Sequence, residues 1–180
     1  MSDKRYAMTV DTRLCVACKA CVFACKSENR VPNNFARDWL MEEVRGEYPS
    51  LTAENRSERC NHCSNTPCVR ACPTGASHIN EGGTVQVTRS KCTGCKACVA
   101  ACPYNARYGH PGGWVDKCTF CLHRVRRGKR PACVSICPTD TLVFGDLGDP
   151  QSEVSKLLRS RRFKVLFPET GAKPNVYFLY

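Results

Sequence analysis

The chain has 180 residues, 16 of them cysteine, and its 27 Lys and Arg residues outnumber 16 Asp and Glu residues. This length allows one or two small domains, and 42% hydrophobic residues with charges of both signs argue against disorder. Polar or charged residues interrupt every apolar run before about 18 residues, which excludes a membrane-spanning helix. Asp3, Lys4 and Asp11 likewise interrupt the apolar core that an export signal needs.

The elements predicted along the chain are short. Residues 5–11 alternate like a strand, residues 84–88 form a second strand, and residues 142–144 form a closing strand. Residues 152–162 predict a basic helix. Residues 173–180 form an extended aromatic tail, which we expect to be held by its own chain or by a partner.

The cysteines fall in four groups of four, and none lies outside a group. The groups are Cys15, Cys18, Cys21 and Cys25; Cys60, Cys63, Cys68 and Cys72; Cys92, Cys95, Cys98 and Cys102; and Cys118, Cys121, Cys133 and Cys137. The first and third groups have the C-x2-C-x2-C-x3-C spacing of bacterial ferredoxins. We expect a short helical turn after each third cysteine. Pro73, Pro103 and Pro138 follow three of the fourth cysteines and end the local turn, whereas Lys26 stands there in the first group.

Other uses of cysteine fit this pattern less well. Disulfides gain most when they close long loops, but most gaps within a group are two or three residues. A C-x2-C pair also suits tetrahedral zinc, and a zinc-stapled interaction module stays open as an alternative. Four complete quartets of cysteine, with no histidine at a ligand position, favour four [4Fe–4S] clusters. No cysteine then remains for nucleophilic catalysis, and no nucleic-acid module is recognisable.

The pairing of groups follows from ferredoxin ligation, in which the fourth cysteine of one group binds the cluster of the other. The second and third groups are close in sequence and should pair, which leaves the first and fourth to pair across the chain. Binding by each group alone is the disfavoured alternative. Crossed ligation predicts four ligand sets: set 1 is Cys15, Cys18, Cys21 and Cys137; set 2 is Cys118, Cys121, Cys133 and Cys25; set 3 is Cys60, Cys63, Cys68 and Cys102; set 4 is Cys92, Cys95, Cys98 and Cys72.

The predicted fold class is α+β, with two nested bacterial-ferredoxin-like modules that each bind two [4Fe–4S] clusters. Short strands, short helices and long loops make up each module. The boundaries are 1–26 with 115–150 for the outer module, 27–56 for an insertion, 57–114 for the inner module, and 151–180 for a C-terminal helix and extended tail. We interpret the insertion as a cover over the outer module, with partner docking as the alternative. The basic run 122–132 is interpreted as a solvated loop, with docking or tuning of a cluster potential as the alternative.

Several motifs carry a resemblance that covers nearly the whole chain. They are C-V-A-C-K-A-C-V-F-A-C-K-S-E-N near the start, C-N-H-C in the second group, C-T-F-C-L-H-R in the fourth, Phe144-Gly145-Asp146-Leu147, and the K-P-x-x-Y-F-L ending. With them the chain resembles the iron–sulfur, B-type, subunits of the molybdopterin oxidoreductase superfamily, most of all those of polysulfide and thiosulfate reductases. Some nitrate reductase relatives carry Trp and a three-iron cluster in the third group, whereas Cys95 here implies a cubane. Formate dehydrogenase relatives carry an extra transmembrane helix that this sequence lacks.

The resemblance implies a non-catalytic electron-transfer subunit. Its partners would be a catalytic subunit with a molybdenum or tungsten bis-pterin cofactor and a multi-helix membrane subunit that reacts with quinone. We expect a peripheral protein that reaches the membrane only through partners, with the periplasmic face favoured over the cytoplasmic face. We expect no nucleic-acid binding and no direct membrane insertion. The alternative is an electron-transfer subunit of a formate dehydrogenase or hydrogenase complex.

Overall fold

A computed structural model describes residues 4–180. The strands in this range are β1 (Tyr6–Asp11), β2 (Asp38–Arg45), β3 (Thr52–Arg59), β4 (Ser77–Ile79), β5 (Val85–Val87), β6 (Tyr108–Gly109), β7 (Val115–Asp116), β8 (Leu142–Asp146), β9 (Phe163–Lys164) and β10 (Val176–Leu179). The α-helices are α1 (Ala20–Asn29), α2 (Pro67–Arg70), α3 (Ala97–Ala100), α4 (Leu122–Val125), α5 (Ala132–Ile136) and α6 (Glu153–Ser160). Single 3₁₀ turns occupy Glu81–Gly83, Arg89–Lys91 and Pro168–Thr170.

Strands from both ends of the chain form one four-stranded sheet, in the order β8-β1-β10-β9. β1 pairs antiparallel with β8, where Met8 lies opposite Phe144, and parallel with β10, where Met8 lies opposite Val176. The strands predicted from residues 5–11 and 142–144 are therefore confirmed. Because β10 lies in the aromatic tail, the tail is held by its own chain.

The remaining strands form three two-stranded hairpins: β2–β3, β4–β5 and β6–β7. β5 confirms the strand expected over residues 84–88. The β2–β3 hairpin was not predicted. It has eight paired positions, from Asp38 opposite Arg59 to Arg45 opposite Thr52, and it makes up most of the insertion.

The helices within the cysteine groups begin slightly earlier than the sequence suggested. Each third cysteine lies inside a helix rather than before one: Cys21 in α1, Cys68 in α2, Cys98 in α3 and Cys133 in α5. α6 confirms the helix expected over residues 152–162, but the helix is shorter and ends at Ser160. The chain then forms β9 at Phe163–Lys164. Within residues 4–180, no helix has the length and apolar character needed to cross a bilayer.

The core contains cysteine as well as hydrocarbon side chains. A larger cluster combines Met8, Leu142 and Phe178 of the four-stranded sheet with Phe120 and with cysteines of the first, second and fourth groups. A smaller cluster contains Cys68 and Cys98 together with Val85 and Val115. The same interior thus holds both the packing residues and the thiols, so the sheet and hairpins directly position the candidate ligands.

Candidate metal centres

The same backbone turn separates the first two cysteines of every group. The residue before the second cysteine has a positive φ in all four groups: 54° at Ala17, 43° at His62, 68° at Gly94 and 52° at Phe120. This left-handed conformation costs a non-glycine residue on the order of 1–3 kcal/mol. It also turns backbone N–H groups toward the thiols, as where Phe120 N–H donates to Cys118 Sγ at 3.4 Å. The loops are therefore shaped to surround an anionic group.

A second repeated turn follows the fourth cysteine in three groups. The third residue after it also has a positive φ: Gly75, Asn105 and Asp140, the residue types that adopt this conformation most readily. Proline directly after the cysteine ends the helical path there. In the first group Lys26 replaces proline, and α1 accordingly continues to Asn29.

The four cysteines of set 1 line one cavity, with Leu40 and Ser57 of the β2–β3 hairpin in the same wall. Ser57 Oγ lies 3.4 Å from Cys21 Sγ, and Asn55 Nδ2 donates to the carbonyl of Cys15 at 3.3 Å. These contacts place the hairpin beside set 1. Cys18 is nevertheless exposed, so this cavity reaches the surface.

The four cysteines of set 2 line a second cavity, and all four are buried. Asn29 Nδ2 lies 3.6 Å from Cys25 Sγ and 3.8 Å from Cys121 Sγ. Arg37 fixes this amide, because its Nη1 donates to Asn29 Oδ1 at 2.8 Å while the same guanidinium forms a bidentate pair with Asp116 at 2.8 and 2.7 Å.

The cysteines of set 3 are close enough to affect one another's ionisation. Burial raises the pKa of Cys63 to about 12, and the charges of Cys60, Cys68 and Cys102 add to the rise. The first three members of the set are buried and Cys102 is half-buried. Set 3 therefore lies in the interior.

Set 4 lies nearer the surface. Cys98 is buried, and Cys92 packs against the same small apolar cluster. Burial is the main cause of the raised pKa of Cys98, and the charges of Cys68 in set 3 and of Cys72 in set 4 add to the rise. Cys95 is the exposed member of the set. Sets 1 and 4 thus reach the surface, whereas sets 2 and 3 are enclosed.

The thiol pKa values show that binding a cluster must displace protons. Burial raises the pKa of Cys118 to about 12, as it does for Cys63, and metal ligation requires the thiolate. Burial alone would also raise the pKa of Cys72 and Cys137. Hydrogen bonds from the following turn outweigh it and lower both values, as where Ser77 N–H donates to Cys72 Sγ at 3.3 Å.

Besides Arg37, which is 6% exposed, three further buried cations near the thiols were not predicted from the sequence. Arg59 and Lys117 are each 1% exposed and Arg107 is 4% exposed, although charged side chains are rarely buried without a partner. Arg59 and Lys117 directly precede Cys60 and Cys118, the first cysteines of the second and fourth groups. That position is the sequence signal that could have identified them.

The donors of these cations test whether an iron–sulfur cluster fits. Nε of Arg59, together with Nε and Nη1 of Arg107, is buried without a hydrogen-bond partner. An anionic cluster beside the thiols would supply negative charge to these donors. Among residues 4–180, no three His, Cys, Asp or Glu side chains converge on a single ion. A cubane does not require such convergence, because each thiolate binds a separate iron.

Comparison with known proteins identifies the class of site. Two family profiles, both described as 4Fe–4S dicluster domains, match residues 14–77 and residues 51–147. Both describe iron–sulfur rather than zinc domains, so the zinc alternative is wrong.

Curated relatives match along almost the full chain. The B polypeptide of polysulfide reductase from Wolinella succinogenes is 43% identical, over 98% of this chain and 94% of the relative. The thiosulfate reductase electron transfer subunit PhsB of Salmonella typhi is 45% identical, over 98% and 91%. The B polypeptide of tetrathionate reductase from Salmonella typhimurium is 41% identical, over 97% and 72%. This chain therefore belongs to the 4Fe–4S dicluster family, as an iron–sulfur electron-transfer subunit of the molybdopterin oxidoreductase superfamily.

Proposed function

We propose that the chain holds four [4Fe–4S] clusters, one in each of ligand sets 1 to 4, and that it relays electrons between two partner subunits. One partner would be a molybdenum or tungsten bis-pterin catalytic subunit of the polysulfide or thiosulfate reductase type. The other would be a multi-helix membrane subunit that exchanges electrons with quinone. When bound, the clusters supply one-electron redox chemistry, and the chain itself carries out no bond-making step.

The burial gradient is the observation that carries this proposal. Sets 2 and 3 are enclosed, and sets 1 and 4 each expose one cysteine, Cys18 and Cys95. The charge of Cys60, in set 3, acts on Cys118, in set 2, so the two enclosed sets are neighbours. This arrangement gives an insulated interior with an electron entry or exit at each end.

The surfaces around the two exposed ends differ in character, which supports two different partners. Leu14, Val16 and Phe23 are exposed large apolar residues near Cys18 in sequence, and grouped exposed apolar residues are typical of protein interfaces. Exposed basic residues flank both ends, Lys19 beside Cys18 and Lys96 beside Cys95, so the exposed apolar residues near Cys18 are the difference between them. The proposal does not depend on which partner binds which end.

The nested modules supply the scaffold in this proposal. The outer module, residues 1–26 with 115–150, is supported by the pairing of β1 with β8. The inner module, residues 57–114, contains the β4–β5 hairpin and sets 3 and 4. Residues 27–56 would cover set 1, and residues 151–180 would close the sheet of the outer module.

Metal analysis tests the number of clusters. Anaerobically purified protein should contain about sixteen irons per chain and no stoichiometric zinc. A value of about four or eight irons would contradict the four-cluster proposal. Redox titration followed by EPR should resolve four cluster signals in the same preparation.

Serine substitutions test the crossed ligation without assigning any signal beforehand. Cys137→Ser and Cys18→Ser should alter the same cluster signal, because both belong to set 1, and Cys133→Ser should alter a different one. Ligation within each sequence group instead requires Cys137→Ser and Cys133→Ser to alter the same signal. That result would reject the nested ligand sets.

The proposed attachment to the membrane through partners, with the periplasmic face favoured, has its own test. Deletion of the membrane partner should release this protein into the soluble fraction while it stays bound to the catalytic subunit. Persistent membrane association after the deletion would contradict indirect attachment.

A further inference from the structure

Apart from Arg37, which is paired with Asp116, three cations are buried among the sixteen thiols, and their contacts follow the order of the ligand sets. Arg59, Lys117 and Arg107 come from three different segments, and each is at most 4% exposed. Buried charges without compensation are strongly unfavourable. Their positions therefore require a physical reason beyond packing.

Arg59 lies between sets 1 and 2. Its Nη1 lies 3.4 Å from Cys133 Sγ of set 2, and the guanidinium also lines the set 2 cavity. Its Nη2 donates to Ser57 Oγ, and that oxygen lies 3.4 Å from Cys21 Sγ of set 1. Asp38, 3.2 Å from Nη2, is its carboxylate partner.

Lys117 lies between sets 2 and 3. It directly precedes Cys118 of set 2, and its Nζ donates to the Cys118 carbonyl at 2.6 Å and to the carbonyl of Val85. Val85 packs in the same apolar cluster as Cys68 of set 3. Burial lowers the pKa of Lys117, and the negative charges of Cys60 and Cys118 oppose this change.

Arg107 lies between sets 3 and 4. Its Nη2 donates to Cys68 Sγ of set 3 and to Ser77 Oγ, both at 2.9 Å. The backbone N–H of Ser77 in turn donates to Cys72 Sγ of set 4 at 3.3 Å. One buried cation thus stands at each of the three boundaries between consecutive sets.

We propose that Arg59, Lys117 and Arg107 are a series of fixed positive charges, each of which raises the reduction potentials of the two clusters it separates. This inference rests on the proposed function, in which each set holds a cluster. Reduction adds one electron to a cluster and makes or breaks no bond. The added negative charge repels the neighbouring cluster, and a cation between them in a low-dielectric interior stabilises the reduced form of both.

Neutral variants of each cation test the proposal by the overlap of their effects. Arg59→Gln, Lys117→Met and Arg107→Gln should each lower two of the four midpoint potentials in EPR-monitored titrations of the cluster-loaded protein. We expect at least a tenfold change in the reduction equilibrium constant, which is 59 mV for one electron. The Arg59 and Lys117 variants should share one shifted signal, the Lys117 and Arg107 variants should share another, and the Arg59 and Arg107 variants should share none.

Control variants separate charge from shape. Lys117→Arg keeps the charge, so its four midpoint potentials should stay within 59 mV of the parent values. The same is expected of Lys156→Met, which removes an exposed cation on α6. A different overlap pattern, an equal shift of all four signals, or no shift would overturn the inference. If the parent protein lacks four signals, the proposed function itself fails, so the two failures are distinguishable.

Asp38→Asn tests the same idea in the opposite direction and does not depend on removing a cation. Loss of this carboxylate leaves the charge of Arg59 uncompensated. The reduction potentials of the two clusters in sets 1 and 2, which Arg59 separates, should therefore rise. The expected rise corresponds to at least a tenfold change in the reduction equilibrium constant. If the neutral cation variants fail to assemble clusters, the absence of this rise still overturns the inference.

Discussion

Phe178 provides a direct test of how the four-stranded sheet protects the metal centres. It lies in β10, opposite Val10 of β1 and Lys164 of β9, and it is 1% exposed. In the large apolar cluster it is grouped with Met8 and Leu142. Leu142 lines the set 1 cavity and Met8 lines the set 2 cavity. Loosening this sheet should therefore open both cavities.

The expected size of the effect follows from the burial of the ring. Replacing a fully buried Phe by Ala costs about 3–5 kcal/mol, because the lost transfer free energy is joined by a cavity. A difference of about 1.4 kcal/mol changes an equilibrium constant tenfold. If opening and reclosing are fast, iron loss follows the opening equilibrium. Phe178→Ala should then release iron to a chelator roughly 100- to 4,000-fold faster than the parent protein.

The assay is anaerobic iron release to a coloured chelator, with Tyr180→Ala as the matched control. Tyr180 is an aromatic residue of the same tail, but it is 51% exposed, so its removal should change the rate little. The hydrogen bond that the Tyr180 backbone N–H donates to the Arg162 carbonyl is kept in the variant. Equal rates for Phe178→Ala and the parent would refute the view that the closing strand protects the centres.

Two further predictions concern the loops and the thiols. Gly94→Ala should lower the iron content of the protein, through set 4, far more than Gly128→Ala does. Both glycines have a φ near +70°, but a Cβ at Gly94 would lie 2.6 Å from the Gly113 carbonyl oxygen, whereas a Cβ at Gly128 would meet no atom within 4 Å. Equal iron contents in these variants would contradict this. Cluster reconstitution of iron-free protein should release protons and proceed further in alkaline than in slightly acidic buffer, because burial raises the pKa of Cys63 and Cys118 to about 12; pH-independent reconstitution would reject it.

The sequence was most informative where one strong pattern governed the local structure. Alternation over residues 5–11 identified β1, the short runs 84–88 and 142–144 identified β5 and β8, and the basic run 152–162 identified α6. The spacing of the cysteines identified the class of cofactor. These features depend on residues close together in the chain, which single-sequence reasoning reads well.

The β2–β3 hairpin was missed because its faces do not separate into apolar and polar sides. Charged residues lie on both strands and pair across them, as where Arg56 of β3 contacts Glu43 of β2 at 2.9 Å. Arg56 also contacts Glu58 of its own strand at 2.6 Å. Its large apolar residues Met41 and Val44 are exposed. Such a hairpin has no clear period-two pattern of burial, so cross-strand ion pairs and contacts with set 1 define it instead.

The left-handed turns and buried cations were missed for a related reason. Ala17 and Phe120 are not residue types that favour a positive φ, and His62 adopts it less readily than glycine, so Gly94 was the clearest signal of the turn that all four groups share. A lysine or arginine is likewise expected at the surface. Both departures from local preference occur beside the thiols, where compensating interactions with a cluster are available.

These departures link the folding of the chain to its role in electron transfer. Nine cysteines are buried, and without clusters they would be weakly packing thiols beside Lys117 and Arg107, which have no carboxylate partner within residues 4–180, and beside Arg59, which has Asp38. Cluster binding removes both problems, since thiolates replace thiols and negative charge reaches Arg59, Lys117 and Arg107. Metal binding free energy therefore becomes folding free energy. The same charges that allow the interior to form are then the ones that act on the redox centres, so stability and potential cannot be varied independently at these three positions.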